Sequence, residues 1–510
     1  MSEERTMVGR SVSRRVVLRM GAALASLPIA AACGQSAAPA APAKPAESKP
    51  AEAAKPAESK PAEAAKPAES KPAAAAPAAK KAGGKLSVLQ AKDFHPEHHP
   101  FIEKKIREFA EQGGYQLEHA YTEAFAGGGN VVQKLTASVQ AGDAPDAMTH
   151  TLQPSELKFL DLVQDVKALQ ADISKDFGAV SPGLMRRAEL DGKVLAVHHF
   201  SRSGAWWVRE TPLKEAGLDI KKDFADFPSA REAALKASKP DKESWGWGMT
   251  TNRSGDGNTI VRTFVQMWGA QLVDEAGQVV VLNKDPYREL AIAGLTFLKE
   301  TYTDPKWSRM LPPGVNAWND TGNNEAYLAG KIFFTNNAGT LLAKAVLDKN
   351  PVADDTYLIP TPKGAGSAGR TMDGVDGNRW FVLTGSKNRD GGDALIKFML
   401  SKDIQNEVFR ISTGYAYPAY EKGWDDKVIT ESPIAKRVTP VWQAQVLAKT
   451  TFTGDEFPAP PNSAVAALVT GNLWTDMFGE IMAGKAIPDA LKSAHDRAVK
   501  VFKEYGLKGE

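Results

Sequence analysis

The chain of 510 residues contains one cysteine, Cys33. It can form no internal disulfide, so even in an oxidising compartment the fold has to rest on a core. Long apolar runs are also missing. The best candidate, Met20 to Ala32, is 13 residues long and interrupted by Pro28, whereas a membrane-spanning helix needs about 20. Neither sign of charge is in real excess, since 63 Lys and Arg face 61 Asp and Glu for a net +2; nothing favours nucleic acid. Gly-x-Gly-x-x-Gly does not follow the first strand candidate, so a dinucleotide site has no support. Ser201 in SRSG lacks the preceding Gly-x of a nucleophile elbow, and no pair of carboxylates marks a hydrolase. The sequence therefore calls for no catalytic residue and no cofactor.

Two stretches near the start do carry information. SRRVVLRMGAALASLPIAAACG, from Ser13, joins a basic head to a short apolar body and a small-residue end, the layout of an export signal. Its SRRVVLR resembles the twin-arginine motif, with Val17 where phenylalanine is usual, and its AAACG resembles the lipobox of bacterial lipoproteins. That resemblance implies cleavage before Cys33 and lipidation of it, with residues 1–32 as the signal peptide. The alternative is a residual thiol beside an ordinary Ala-x-Ala cleavage site. Next, KPAESKPAEAA from Lys44 recurs from Lys55 and, as KPAESKPAAAA, from Lys66. Two prolines per repeat oppose helix, and from Gln35 to Gly83 no aromatic or β-branched residue occurs. Such a tract cannot repay its conformational entropy by burial. Residues 33–83 read as an anchor followed by a disordered Pro/Ala/Lys/Glu spacer.

Residues 84–510 hold every tryptophan and are long enough for two lobes of ordinary size. KLSVLQ at Lys85 reads as a strand. HPFIEKKIREFAEQGG places Phe101, Ile102, Ile106 and Phe109 at helical spacing, with Gly113 and Gly114 as stops. YQLEHAYTEA, NVVQKLTASVQAG and AMTHT continue as strand, helix and strand. This alternation predicts an open α/β sheet with covering helices.

From here the chain resembles the solute-binding proteins of ABC importers, in the group that includes maltose-binding protein (family 1). The matching elements are AGDAPDAM at Ala141, DGKVLAVHHFSRSGAWWVRETPLKEAGL from Asp191, WGWGM at Trp245 and the unit from Trp268 to Tyr302. EAYLAGKIFFTNNAG at Glu325, YLIPTPKG, the segment from Asp390 to Tyr420 and IMAGKAIPDALKSAHDRAVKVF follow in the family's order. The resemblance implies an α/β, two-lobed periplasmic-binding-protein (type II) fold with a hinge and an interlobe cleft. Lobe 1 is expected at about 84–197 plus 374–414, and lobe 2 at about 203–358 plus 421–510. Crossings are expected near Val197 to Ser203, Ile359 to Asp373 and Tyr415 to Tyr420. The function implied is capture of a solute, a sugar or oligosaccharide first, by cleft closure and its delivery to the permease subunits of an ABC importer. The protein would be exported and held at the outer face of the cell membrane, or in the periplasm, through its lipid anchor. A polyol, an amino-containing compound or a metal complex is the alternative cargo, and a tethered carbohydrate-active enzyme a more distant one.

A sugar presents an apolar ring face and a rim of hydroxyls, so its site needs flat aromatic walls and directed polar groups. Candidate ligand-binding residues are Asp93, His95, Glu123, His150, Trp206, Trp207, Asn252, Trp318, Asn319, Asn337, Trp380 and Tyr415. Trp207 is favoured for stacking because the family's tyrosine falls on it, and Trp318 because it stands among polar loop residues. His95, His98, His99, His150, His198 and His199 could meet near the cleft, but their spacing is no closed metal motif, and no metal site is assigned.

Overall fold

A computed structural model describes residues 83–92, 94–123, 128–371, 375–448 and 454–510. The export segment, Cys33, the repeats and Asp93 lie outside them. The strands that organise the rest are β1 (Gly84–Lys92), β2 (Tyr115–Glu123), β3 (Ala147–His150), β4 (Val197–Arg202), β5 (Gly204–Arg209), β6 (Phe334–Ala338), β7 (Thr356–Ile359), β8 (Asp376–Phe381) and β9 (Ala416–Tyr417). A separate short hairpin pairs Glu189–Leu190 with Lys193–Val194.

Six strands form one sheet in the order β9-β4-β8-β3-β1-β2, and three form another in the order β6-β5-β7. β1 runs parallel to both β2 and β3, the arrangement that helical crossovers produce. In the first crossover helix, His98–Gly113, the buried residues Ile102, Ile106 and Ala110 fall four apart, on one face, and Gly114 ends it at φ 69°. β8 enters antiparallel between β3 and β4, with a register irregularity at Asn378/Arg379. Leu86 and Val88 of β1 belong to the core on one side of this sheet, while Met148 and Phe381 pack with Val131, Leu135 and Leu157 on the other.

Asp146, from AGDAPDAM, shows what that motif does. Its buried carboxylate accepts from the amide of Ser87 at 2.8 Å, from those of Lys387 and Asn388 at 2.9 and 2.7 Å, and from the Ser386 hydroxyl at 2.8 Å. One side chain thereby fixes β1, the entry to β3 and the start of the helix Arg389–Met399; charge-assisted bonds of this kind are the strong ones.

The second lobe builds its core on helices. Gly255–Met267, Tyr287–Thr303, Leu473–Met482 and Ile487–Glu504 contribute Phe264, Leu298, Phe478 and Phe502, all fully buried with Trp206 and Trp247. The chain passes from the large sheet to the small one at Ser203, returns between Ile359 and Asp376, and leaves the large sheet after Tyr417.

Candidate functional site

The strand ends at these passages surround a cavity of about 440 Å³. Ser203 is its pivot. The Ser203 amide donates to the Tyr415 carbonyl at 2.8 Å, its hydroxyl donates to the Gly414 carbonyl, and its own carbonyl accepts from Gly339 at 2.8 Å. The first passage is thus bonded to the third and to the end of β6. A Cβ at Gly339 would collide with the Ser203 hydroxyl and the Gly414 carbonyl, so glycine is required by close approach.

Part of the cavity wall is a half-buried ion cluster. Asp376 accepts from Arg379 and, at 2.8 Å, from Arg202, with Arg187 at 3.7 Å. Burial alone would raise the Asp376 carboxyl, but the three guanidiniums outweigh it and hold it far below the usual range. Tyr415 hydrogen-bonds Arg202, and with Asp376 it keeps that guanidinium charged against burial. Across the cavity Arg262 pairs with Asp455 at 2.9 Å, and Asp455 also accepts from the Trp474 indole at 2.6 Å. Glu456, beside it, is pushed up to about 7 by burial.

Of the residues expected from the sequence, Trp206, Asn337 and Tyr415 line the cavity. Trp207 does not. Successive side chains of a strand point to opposite faces, and here Trp206 takes the cavity face while Trp207 joins the other core, fully buried, its indole donating to the Asn337 carbonyl at 2.9 Å. Trp380 is likewise fully buried in the core of the large sheet. Trp318 is half-buried against both cores and lies outside the cavity lining; its carbonyl accepts from Thr250 at 2.9 Å and from Asn252 at 3.3 Å, so exposed Asn252 braces this loop. Asn319 is exposed and closes a turn by accepting from the amide and hydroxyl of Thr321.

The two histidines serve the backbone. His95 accepts from the amides of Glu97 and His98, both at 3.2 Å, and so caps the first crossover helix. His150 donates from Nε2 to the Glu123 carbonyl at 2.7 Å and accepts at Nδ1 from Thr151 and Leu152. Burial pushes it down to about 4, leaving it neutral. Glu123 contributes only that carbonyl, its side chain being exposed. No group of three or more metal-ligating side chains occurs among the described residues.

The sequence reading missed the polar lining itself. Asn324, which lines the cavity, donates to the Asp320 carbonyl at 3.0 Å, and its Oδ1 is buried without a partner. Gln266 donates weakly to Gly454 and Asp455 and leaves Oε1 in the same condition. In Asn337, Oδ1 accepts from Ala338 at 2.7 Å, so Nδ2 is the unpaired atom. Buried polar groups are rarely left unmatched; a cavity lined by them is prepared for a polar guest.

The lobes also touch beside this cavity. The Ser463 hydroxyl donates to the Ser155 carbonyl at 2.6 Å, Thr470 donates to Glu156 at 3.1 Å, and Phe159 stacks on Tyr505 at 3.9 Å. Burial pushes Glu156 up to about 7.

Two lobes joined by three passages, enclosing a polar cavity, define a binding protein that closes on a small solute. The family model for bacterial extracellular solute-binding proteins matches residues 96–406, more than half the chain, and the chain belongs to that family. Among solved structures, maltose-bound MalE3 of T. maritima superposes with a TM-score of 0.66 at 18% identity, covering 83% of this chain and 99% of that one. A ribitol-bound solute-binding protein of Agrobacterium radiobacter gives 0.66 at 16%, covering 83% and 100%. The GacH receptor of Streptomyces glaucescens, solved unliganded and with acarbose, gives 0.63 at 16%, covering 83% and 99%. No curated protein matches the sequence.

Trp206→Ala removes a fully buried core side chain that also lines the cavity; it is expected to cost about 3–5 kcal/mol of stability and to weaken binding of a solute that the wild type retains by about tenfold or more. Trp207→Phe keeps an aromatic ring but loses the indole bond to the Asn337 carbonyl; it should cost about 0.5–1.5 kcal/mol of stability and leave affinity within about threefold. Calorimetry and denaturant unfolding on both variants check this, and the reverse pattern would put Trp207 in the site.

Glu156 gives a pH prediction. Its carboxyl stays protonated to about pH 7 when the lobes touch but only to about 4.3 when free in water. The contact is therefore at full strength below about pH 4.3, weakens as pH rises through the folded value, and is constant above it. Glu156→Gln should remove on the order of 3 kcal/mol of this dependence. Thermal unfolding of wild type and variant from pH 5 to 8 reads the difference; parallel curves would refute it.

Proposed function

We propose that this protein captures a hydroxyl-rich solute of the sugar and polyol class by lobe closure and hands it to an ABC importer. The observation that carries the reading is the set of buried, unpartnered amide atoms of Asn324, Gln266 and Asn337 around a cavity that Trp206 walls. Hydroxyl groups both donate and accept, so a polyol can satisfy Asn337 Nδ2 and Asn324 Oδ1 together, while the indole face covers C–H surface. The cavity fits the smaller end of ordinary ligand pockets. The maltose and ribitol held by the two compared proteins belong to the same chemical class.

A thermal-shift screen of residues 83–510 against mono- and disaccharides, polyols, sugar phosphates and divalent metals tests this, because a ligand that binds only the folded state raises its melting temperature. Sugars or polyols should give the shifts. A shift with metal or phosphate alone would replace the reading.

The same proposal places the binding domain on a tether. The lipobox-like AAACG implies acylation of Cys33, and the proline repeats act as a spacer, so the domain stands a short way from the outer face of the membrane. Under this reading lobe 1 spans about 84–197 plus 374–414 and lobe 2 about 203–358 plus 421–510. Cys33→Ala should move the folded protein from the membrane fraction to the soluble one after a salt wash. Retention at the wild-type level would remove the lipid anchor from the account.

A further inference from the structure

Two carboxyl groups that line the cavity have no cationic partner among the described residues. Arg202 and Arg187 are engaged by Asp376, together with Arg379, and Arg262 is engaged by Asp455. Asp256 and Asp320 line the cavity with no cation within ion-pair distance among the described residues. The Asp256 amide donates to Asp320 Oδ1 at 2.8 Å, and Asp256 Oδ2 accepts only from the Asn323 amide, also at 2.8 Å. Two carboxyl groups alone would mean little. Beside them, however, is Asn324, a cavity-lining residue that is 2% exposed and whose buried Oδ1 has no donor.

When Asp256 and Asp320 are both ionised, this corner is rich in acceptors. A hydroxyl brings one proton and no charge, whereas a primary ammonium brings three protons and the missing positive charge. We propose that the solute carries a protonated amine, as an amino sugar or amino polyol does, seated between Asp256, Asp320 and Asn324. This deepens the sugar and polyol reading and rests on it. Burial and the neighbouring Asp320 push Asp256 up to about 8, against the Asn323 amide and the Arg202 charge across the cavity. The remaining charged groups that line the cavity are Arg187, Arg262, Asp376, Asp455 and Glu456. An arriving ammonium favours the ionised form of Asp256, so binding at neutral pH expels a proton from that carboxyl to the buffer.

The experiment uses matched pairs: D-glucosamine against D-glucose, D-mannosamine against D-mannose, and 1-amino-1-deoxy-D-sorbitol against D-sorbitol. Each is titrated calorimetrically into wild type, Asp320→Asn and Asp256→Asn, with unliganded melting curves as the check on folding. At least one amine should bind about tenfold or more tightly than its neutral partner. That advantage should fall below about threefold in Asp320→Asn, and titration in phosphate and in Tris at pH 7 should show proton release that Asp256→Asn abolishes. A neutral partner that binds as well or better overturns the amine while leaving the sugar and polyol reading in place. Loss of both partners equally in Asp320→Asn also overturns it, since the carboxylate would then serve hydroxyls. If no member of any pair binds, both readings fail.

Discussion

The carboxylate of Asp376 is the interaction on which the cavity depends. A charge removed from water is tolerated only if opposite charges and hydrogen bonds replace the solvent, and Arg379, Arg202 and Arg187 do so from three separate elements. Because Asp376 stands opposite Arg202 in the sheet register, the pair also locks the returning strand to the departing one just below the solute. Three guanidiniums that could have faced a ligand are thereby held by the protein. The consequence is a cavity whose lining arginines, Arg187, Arg202 and Arg262, are each engaged by a carboxylate of the protein.

Closure follows from how little joins the lobes. Ser203 binds the ends of three strands through its amide, hydroxyl and carbonyl, and a hinge needs only a few such residues to absorb a rotation. On the far side of the cavity the contact between Pro154–Phe159 and Ser463–Thr470 is made of two hydroxyl bonds and a buried carboxyl group. Such a contact is weak enough to open, and a solute bridging both walls adds the stability that keeps it shut. Arg187 reaches toward Gly454 and Glu456 from the opposite lobe, so the ion cluster and the closing edge share a side chain.

Much of the fold was legible because it rests on local periodicity. Of the residues at helical spacing, Ile102 and Ile106 are fully buried and Phe101 and Phe109 half-buried, the run KLSVLQ forms the first strand, and the passages at Ser203 and near Ile359 stand where the periods break. The site was less legible, for physical reasons. In a pair such as Trp206-Trp207 both residues suit a strand, and only the register of β5 between β6 and β7 decides which one faces the cavity. His95 and His150 looked like ligands since imidazole is versatile, yet both are taken by neighbouring backbone groups, which composition does not reveal. Asp256 and Gln266 lie on the helix Gly255–Met267 and Asn324 on the helix Gly322–Leu328, and only the tertiary fold brings the two helices to one cavity. One hint was present, in that Asp320 follows the same polar loop that drew attention to Trp318.

The central claim is that the unpartnered amides of the cavity are the contacts of the solute. A crystal structure of residues 83–510 with the sugar or polyol that shifts its melting most tests this directly. The account predicts solute oxygen or nitrogen atoms within hydrogen-bonding reach of Asn337 Nδ2, Asn324 Oδ1 and Gln266 Oε1, with the Trp206 ring against the solute. A solute bound elsewhere, with those atoms still unpaired, would contradict it.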